Sequence, residues 1–251
     1  MEKYKRICVI GLPRSGSNYV ANIIEKSFLL SNGISYYNMG EPFTINQPYL
    51  TMLDDHKYIQ CKNIESDQIN NFVNFNHRMT CVLSSIEESN KNQSLLIRLF
   101  PMSYIISDLD IIISTLKNNG FDFIILKRNN VEEHLLSMTV ASTTDKWISY
   151  DSSEVLNTSI TIQNHGFQET HELYKYLKVY NSCLEMFNLH NSPTIYYETA
   201  VENLSEILQI SIHNNVDLVK QLPLNPYNFI TNAKEVKQFI EKLANDIRKE
   251  K

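Results

Sequence analysis

The chain has little glycine, few cysteines and no long apolar run, and the last two shortages limit the class of protein that it can be. Its 251 residues include six glycines and four cysteines, and the cysteines lie far apart with no CxxC pair. Free thiols in a reducing compartment are the simplest interpretation. No segment approaches the roughly 18 uninterrupted apolar residues that span a bilayer, and no secretory signal precedes the first apolar run. We therefore expect a cytoplasmic protein without a membrane span.

The chain also lacks an excess of positive charge. Its 23 lysines and arginines are outnumbered by 28 aspartates and glutamates, which gives a formal net charge of −5. This balance argues against a general nucleic-acid-binding surface, so a polyanionic ligand must meet a local cluster of cations. The apolar content of 43% and the charged content of 20% are typical of a soluble globular protein.

No internal repeat or low-complexity linker divides the sequence, so we expect one domain over residues 1–251. Short apolar runs rich in β-branched residues alternate with segments of helical periodicity. The predicted strands are residues 7–10, 34–39, 94–100, 121–126 and 193–197, and the main predicted helices are residues 20–28, 67–88, 105–116, 131–140, 168–189 and 236–247. Residues 44–66 show no clear period and are expected to be irregular. The alternation predicts an α/β fold, P-loop-like and three-layered, with a central, mainly parallel sheet flanked by helices.

The first predicted strand runs directly into a Gly-containing loop, GLPRSGSN at residues 11–18, and then into the first predicted helix. In this arrangement backbone N–H groups and a helix N-terminus converge on one anion. Arg14 adds a permanently charged, fork-shaped donor that suits a phosphate or a sulfonate. The loop therefore predicts an anion-binding site.

The same loop departs from the P-loop of nucleoside-triphosphate enzymes. Gly11 and Gly16 have the GxxxxG spacing, but Ser17 and Asn18 stand where that motif requires Lys and then Ser or Thr. No side chain of the loop is thus placed to reach a γ-phosphate or to hold Mg²⁺. A metal-dependent kinase is disfavoured.

The loop resembles the 5′-phosphosulfate loop of the sulfotransferases, which take a sulfonate group from 3′-phosphoadenosine-5′-phosphosulfate (PAPS). Six residues carry this resemblance: Pro13, Arg14, Ser15, Gly16, Ser17 and Asn18. The resemblance implies that they bind the donor. Arg128, at the end of a predicted strand, and Ser137, in the following helix, resemble the family's 3′-phosphate site. Ser137 follows Arg128 by nine positions, one more than is usual in the family. The stretch is most similar to the bacterial carbohydrate sulfotransferases, including the trehalose type.

Glu41 is the candidate general base. It stands in a Gly-Glu-Pro-Phe turn, residues 40–43, that is similar to the position of a Glu in the trehalose-type enzymes. A sugar hydroxyl becomes a good nucleophile when a carboxylate removes its proton during attack. His56 and His77 are rival bases, because imidazole is the commonest base, but neither lies in a matching motif.

Three further residues have open interpretations. Arg98, at the end of a predicted strand, is either a second cation facing the sulfonate or the acceptor, or a solvated strand-end side chain. Trp147 either stacks on adenine or a sugar ring or anchors a loop. His134 is expected to lie on the surface of its helix. Arg128 itself has an alternative role, an exposed ion pair with Glu132 or Glu133.

The resemblance implies an enzyme that transfers sulfonate from PAPS to a hydroxyl of a small molecule or glycan, such as a carbohydrate or glycolipid. Arg14 and Glu41 would act in catalysis, and no metal would be needed. Two alternatives stay open at this point. One is a P-loop nucleotide kinase or NTPase, and the other is a catalytically inactive nucleotide-binding module.

Overall fold

The computed structural model describes residues 6–43, 49–53, 57–61, 79–80, 82–87, 94–101, 106–145, 159–212 and 226–249. His56, His77 and Trp147 lie outside these ranges, as do parts of the predicted helix over residues 67–88, and the expectations for them stay predictions.

A five-stranded parallel sheet forms the centre of the molecule. In chain order the strands of the described residues are β1 (Arg6–Ile10), β2 (Tyr36–Asn38), β3 (Tyr49–Leu53), β4 (Lys57–Cys61), β5 (Ser94–Leu99), β6 (Asp122–Lys127) and β7 (Thr194–Tyr196). The central sheet has the order β2-β5-β1-β6-β7, and every neighbouring pair in it is parallel. β3 and β4 instead form a separate antiparallel pair, so the expectation of irregular chain is wrong for these two strands.

Helices follow the parallel strands, as the α/β pattern requires. They are α1 (Ser17–Asn32), α2 (Ile106–Asn118), α3 (Val131–Thr144), α4 (Asn164–Met186), α5 (Ala200–Leu208) and α6 (Ala233–Lys249). Residues 82–87 are also helical. Within the described ranges, no helix is both long and apolar enough to span a membrane.

The helices cover both faces of the sheet because successive strand residues point to opposite faces. Ile7 and Val9 of β1 face a cluster that includes side chains of α1 and α5. Cys8 and Ile10 face the larger cluster, to which α2, α3, α4 and α6 contribute. All four side chains are fully buried, and burial of each large one stabilises the fold by about 1.5–3 kcal/mol. The predicted three-layer α/β fold is confirmed.

All five parallel strands end at the same edge of the sheet. The loop over residues 11–18, called the 11–18 loop below, leaves the end of β1 in the middle of that edge. β2 delivers Glu41, β5 carries Arg98, and β6 is followed by Arg128. Ligands of open parallel sheets bind beyond this edge, so the predicted site residues lie where a ligand site is expected.

Candidate functional site

The 11–18 loop folds into a tight turn between β1 and α1. The amide of Gly11 donates to the carbonyl of Leu99 in β5 at 3.1 Å, and the amide of Ser15 donates to Leu12 at 3.1 Å. Arg14 and Gly16 adopt left-handed backbone conformations, with φ of 64° and 94°. The left-handed conformation is disfavoured for a residue such as Arg14, so contacts from outside the loop must hold it there.

The N-terminus of α1 has no side-chain cap. Its N-cap, Gly16, has no side chain to accept from the first turn, and that turn has no acidic residue. The N–H groups at the start of a helix have no partner within it, and they stabilise a bound anion. The amides of Gly16, Ser17 and Asn18 therefore suit the predicted phosphosulfate site. The amide of Ser15, also predicted to bind there, is instead engaged with Leu12.

Ser15 contributes its side chain in a different way. It is buried, and its hydroxyl has no hydrogen-bond partner among the described residues. The hydroxyl folds back over Gly11, where a Cβ would lie only 2.6 Å from Ser15 Oγ. Gly11 is thus needed for the close approach of the two residues.

Arg14 contacts a residue of the predicted 3′-phosphate motif. Its Nε donates to Ser137 Oγ at 3.0 Å. Burial, together with the nearby charge of Arg128, lowers the pKa of Arg14 to about 10, so the guanidinium stays protonated at neutral pH. Ser137 is buried on α3, and it lies beside the 11–18 loop in spite of its longer spacing from Arg128.

Arg128 also contacts the 11–18 loop. Its Nη1 donates to the carbonyl of Arg14 at 3.2 Å, and its guanidinium stacks 4.7 Å from the centre of the Tyr197 ring. The side chain is only 5% exposed, and it pairs with Glu133 at 3.0 Å and with Glu198 at 4.0 Å. The ion pair with Glu133 that was the alternative role is therefore present, with the Arg128 side chain buried and the Glu133 side chain 23% exposed.

The start of α3 already has protein acceptors for several of its amides. The carboxylate of Glu198 accepts from the amides of Asn129 and Asn130 at 3.0 and 3.1 Å. Asn130 caps the helix by accepting from the amide of Glu133 at 3.0 Å. Burial raises the pKa of Glu198, but the two amides and Arg128 outweigh it, so the pKa is lowered. A carboxylate thus sits beside Arg128 where the resemblance implies a phosphate.

Glu41, the candidate base, forms an ion pair with Arg98. Their closest atoms, Oε1 and Nη1, are 3.2 Å apart, and the side chains are 14% and 11% exposed. Arg98 also donates to the side chain of Asn18 in the 11–18 loop, and its amide donates to Gly40 at 2.8 Å. Burial raises the pKa of Glu41, and the charge of Arg98 opposes that rise. Arg98 is not a solvated side chain, so that interpretation is wrong.

Two parts of this site were not predicted from the sequence. His134 is only 2% exposed, so its expected place on the helix surface is wrong, and its Nε2 lies 2.7 Å from the carbonyl of Pro13. Tyr197 and Glu198 follow β7, and both lie against the guanidinium of Arg128. The signal for them was their place at the end of the strand predicted over residues 193–197, because ligand-site residues concentrate at strand ends.

The comparisons with known proteins do not assign the chain to a family. No protein-family model matches it, and no curated protein matches it either. Within the described ranges, no group of three or more histidine, cysteine, aspartate and glutamate side chains is placed to hold a metal ion.

Proposed function

We propose that this chain is a PAPS-dependent sulfotransferase that moves a sulfonate group to an acceptor hydroxyl, on a carbohydrate or glycolipid. The observation that carries the proposal is the meeting of Arg14, Arg128 and the uncapped N-terminus of α1 at one sheet edge. Two arginines and a helix N-terminus make a strong local site for a polyanion on a chain of net negative charge. The free thiols Cys8 and Cys183 suit the cytoplasm.

The 11–18 loop would hold the 5′ end of the donor. Arg14 and the amides of residues 16–18 would bind the phosphosulfate and stabilise the charge that develops on the leaving phosphate oxygen. The left-handed Arg14 and its hydrogen bond to Ser137 keep the guanidinium in one orientation before the donor arrives. Such preorganisation is what makes electrostatic stabilisation effective.

Glu41 would take the proton of the acceptor hydroxyl as it attacks sulfur. A base must be ionised to do so, and the ion pair with Arg98 favours the ionised carboxylate against the effect of burial. Arg98 also contacts Asn18, so the base and the 11–18 loop are linked through one side chain. That link would fix the distance between the acceptor and the donor.

The 3′ end of the donor is the most demanding part of the proposal. Arg128 is positive, but Glu133 and Glu198 both lie within 4.0 Å of it. A 3′-phosphate that binds Arg128 would lie close to these two carboxylates, and its negative charge would be repelled by theirs. The phosphate must therefore displace at least one carboxylate. Recognition of the 3′-phosphate is therefore the property to measure first.

The test is calorimetric binding of adenosine 3′,5′-bisphosphate, the product of sulfonate transfer, and of AMP, both with EDTA present. We expect the bisphosphate to bind clearly more tightly than AMP. We also expect Arg128→Ala to lose about 1.5–3 kcal/mol of bisphosphate binding, the contribution of a hydrogen bond to a charged group. Equal affinities for the two nucleotides would show that the protein has no site for the 3′-phosphate. A screen of PAPS-dependent sulfation against sugars, lipids and phenols then identifies the acceptor class.

Two other outcomes separate the alternatives. Mg²⁺-dependent hydrolysis of a nucleoside triphosphate would favour a P-loop kinase or NTPase, although Ser17 and Asn18 replace the residues that such enzymes need. Tight bisphosphate binding without transfer to any acceptor would favour an inactive nucleotide-binding module.

A further inference from the structure

His134 is a buried titratable side chain for which the proposed reaction has no role. It is 2% exposed, and its Nε2 lies 2.7 Å from the carbonyl oxygen of Pro13. A carbonyl oxygen only accepts hydrogen bonds, so Nε2 carries the proton and donates it. Burial lowers the pKa of His134 to about 3, and the ring is therefore neutral near pH 7.

One turn further along α3, Ser137 contacts the next residue of the loop. Residues three positions apart lie on the same face of a helix, so His134 and Ser137 together face the 11–18 loop. His134 binds the backbone of Pro13, and Ser137 binds the side chain of Arg14. Arg128, just before α3, binds the carbonyl of Arg14. Three contacts from one stretch of chain thus surround the left-handed Arg14.

We propose that His134 is a positioning residue that holds the 11–18 loop in its anion-binding shape through the carbonyl of Pro13. The bond fixes the peptide that precedes Arg14, and so it opposes relaxation of the disfavoured left-handed backbone. Only the identity of the bound anion rests on the proposed function. The role itself concerns the shape of the loop and applies to any phosphate that the loop binds.

A packing role would not need the imidazole. Nδ1 of His134 is buried and has no hydrogen-bond partner among the described residues, which is unfavourable for a polar atom. An apolar side chain of similar size would fill the same space without that cost. The donor at Nε2 is what an apolar side chain lacks, and it is directed at the loop.

The experiment compares three variants. His134→Met keeps an apolar side chain in place but removes the donor, and His134→Gln restores an N–H donor. Thr139→Val is the matched control, because Thr139 is fully buried on the same helix and bonds to Leu135 and Thr170 but not to the loop. The readouts are the thermal midpoint, the affinities for AMP and adenosine 3′,5′-bisphosphate, and hydrogen exchange of the amides of residues 14–18.

We expect His134→Met to weaken the binding of both nucleotides by about three- to tenfold, which is the effect of losing one net hydrogen bond. It should also speed exchange of the loop amides, because local opening becomes easier. His134→Gln should recover most of both properties. Thr139→Val should lower the thermal midpoint without either change. A Met variant with normal loop exchange and normal affinity would overturn the proposal.

Two further results keep the test decisive. If the wild-type chain binds neither nucleotide, the proposed function fails, while the exchange data still decide the role of His134. If His134→Met does not fold, nitrogen NMR of the wild-type imidazole decides, because the proposal requires the Nε2–H tautomer. A proton on Nδ1 would overturn it.

Discussion

Arg14 and Ser137 are 123 positions apart in the chain, yet Arg14 Nε donates to Ser137 Oγ at 3.0 Å. The two predicted phosphate motifs are therefore joined by a direct hydrogen bond. Because Ser137 orients the guanidinium of Arg14, its main effect is expected on the 5′ side of the donor.

Ser137→Ala should weaken the binding of AMP and of adenosine 3′,5′-bisphosphate by the same factor, roughly two- to tenfold for one lost hydrogen bond. Calorimetry on both nucleotides measures it. Ser142→Ala is the control, since Ser142 lies on the same helix and, among the described residues, its hydroxyl bonds locally to Met138. A loss confined to the bisphosphate would instead assign Ser137 to the 3′-phosphate.

Gly16→Ala should destabilise the fold by about 2–4 kcal/mol, from left-handed strain and from overpacking. Gly16 has φ of 94°, and a Cβ there would overlap the ring of Tyr197. Gly33→Ala separates the two causes, because Gly33 has φ of 66° and, its two chain neighbours aside, no heavy atom of the described residues lies within 4 Å of its Cβ position. Denaturant unfolding of both variants gives the comparison. Equal losses would contradict the contact with Tyr197.

Glu198→Gln should raise the preference for the bisphosphate over AMP. The carboxylate of Glu198 lies 4.0 Å from Arg128 Nε, so its charge repels a 3′-phosphate that binds the same guanidinium. Removal of one charge near a dianion at a partly exposed site should improve the affinity ratio by about fivefold. The control is Glu206→Gln, an exposed position on α5 with the same change in net charge. An unchanged ratio would indicate that the 3′-phosphate does not bind near Glu198.

His134 should make the protein less stable in mild acid. Burial lowers its pKa in the folded state to about 3, whereas an unfolded histidine has a pKa of about 6.5. Below pH 6.5 the unfolded chain takes up a proton that the folded chain does not. Stability from this residue is therefore present above about pH 6.5 and falls by up to about 1.4 kcal/mol per pH unit on further acidification.

The measurement is urea unfolding between pH 4 and pH 8 for the wild type and His134→Gln. The glutamine variant should show a flatter decline on the acid side, because it removes one titrating group. The other histidines are unchanged and serve as the internal reference. Parallel curves for the two proteins would contradict the buried, neutral state of His134.

The strands and the 11–18 loop were predictable because local sequence determines them. Ile7–Ile10 is a continuous apolar run, and a run of that kind indicates a strand covered on both faces wherever it occurs. The hairpin of β3 and β4 was missed because its residues show no clear alternation. Side-chain pairs such as Arg98 with Glu41 depend on which strands are neighbours in the sheet. The sequence of a single segment does not determine that strand order.

His134 shows why the face of a helix is harder to predict. α3 is covered both by α4 and by the 11–18 loop, so every one of residues 134–141 is buried and the helix has no single apolar stripe. A polar residue in such a helix looks exposed until its partner is known. The partner of His134 is the backbone carbonyl of Pro13, 121 positions away. Every residue type has such a carbonyl, so the sequence does not show which one is the partner.

Glu41→Gln tests the assignment of the general base. If the carboxylate takes the acceptor proton in the transition state, the variant should transfer sulfonate about 10² to 10⁴-fold more slowly. Bisphosphate affinity should hardly change, because Glu41 pairs with Arg98 and not with Arg14 or Arg128, the arginines proposed to bind the phosphates. Glu25→Gln is the control, since Glu25 is another partly buried carboxylate and its hydrogen bond is to Asn38, not to Arg98. A variant that keeps most of its rate would move attention to His56 or His77.

The pH dependence of the rate gives the same assignment an independent check. A base works when deprotonated, so kcat/KM should rise with pH through the pKa of Glu41. Arg98 opposes the rise in that pKa caused by burial, and Arg98→Met removes the opposition but leaves the carboxylate buried. The acid limb of the profile should therefore move to higher pH in Arg98→Met, whatever the height of the plateau. A limb that stays in place would mean that the titrating base is a group that Arg98 does not touch.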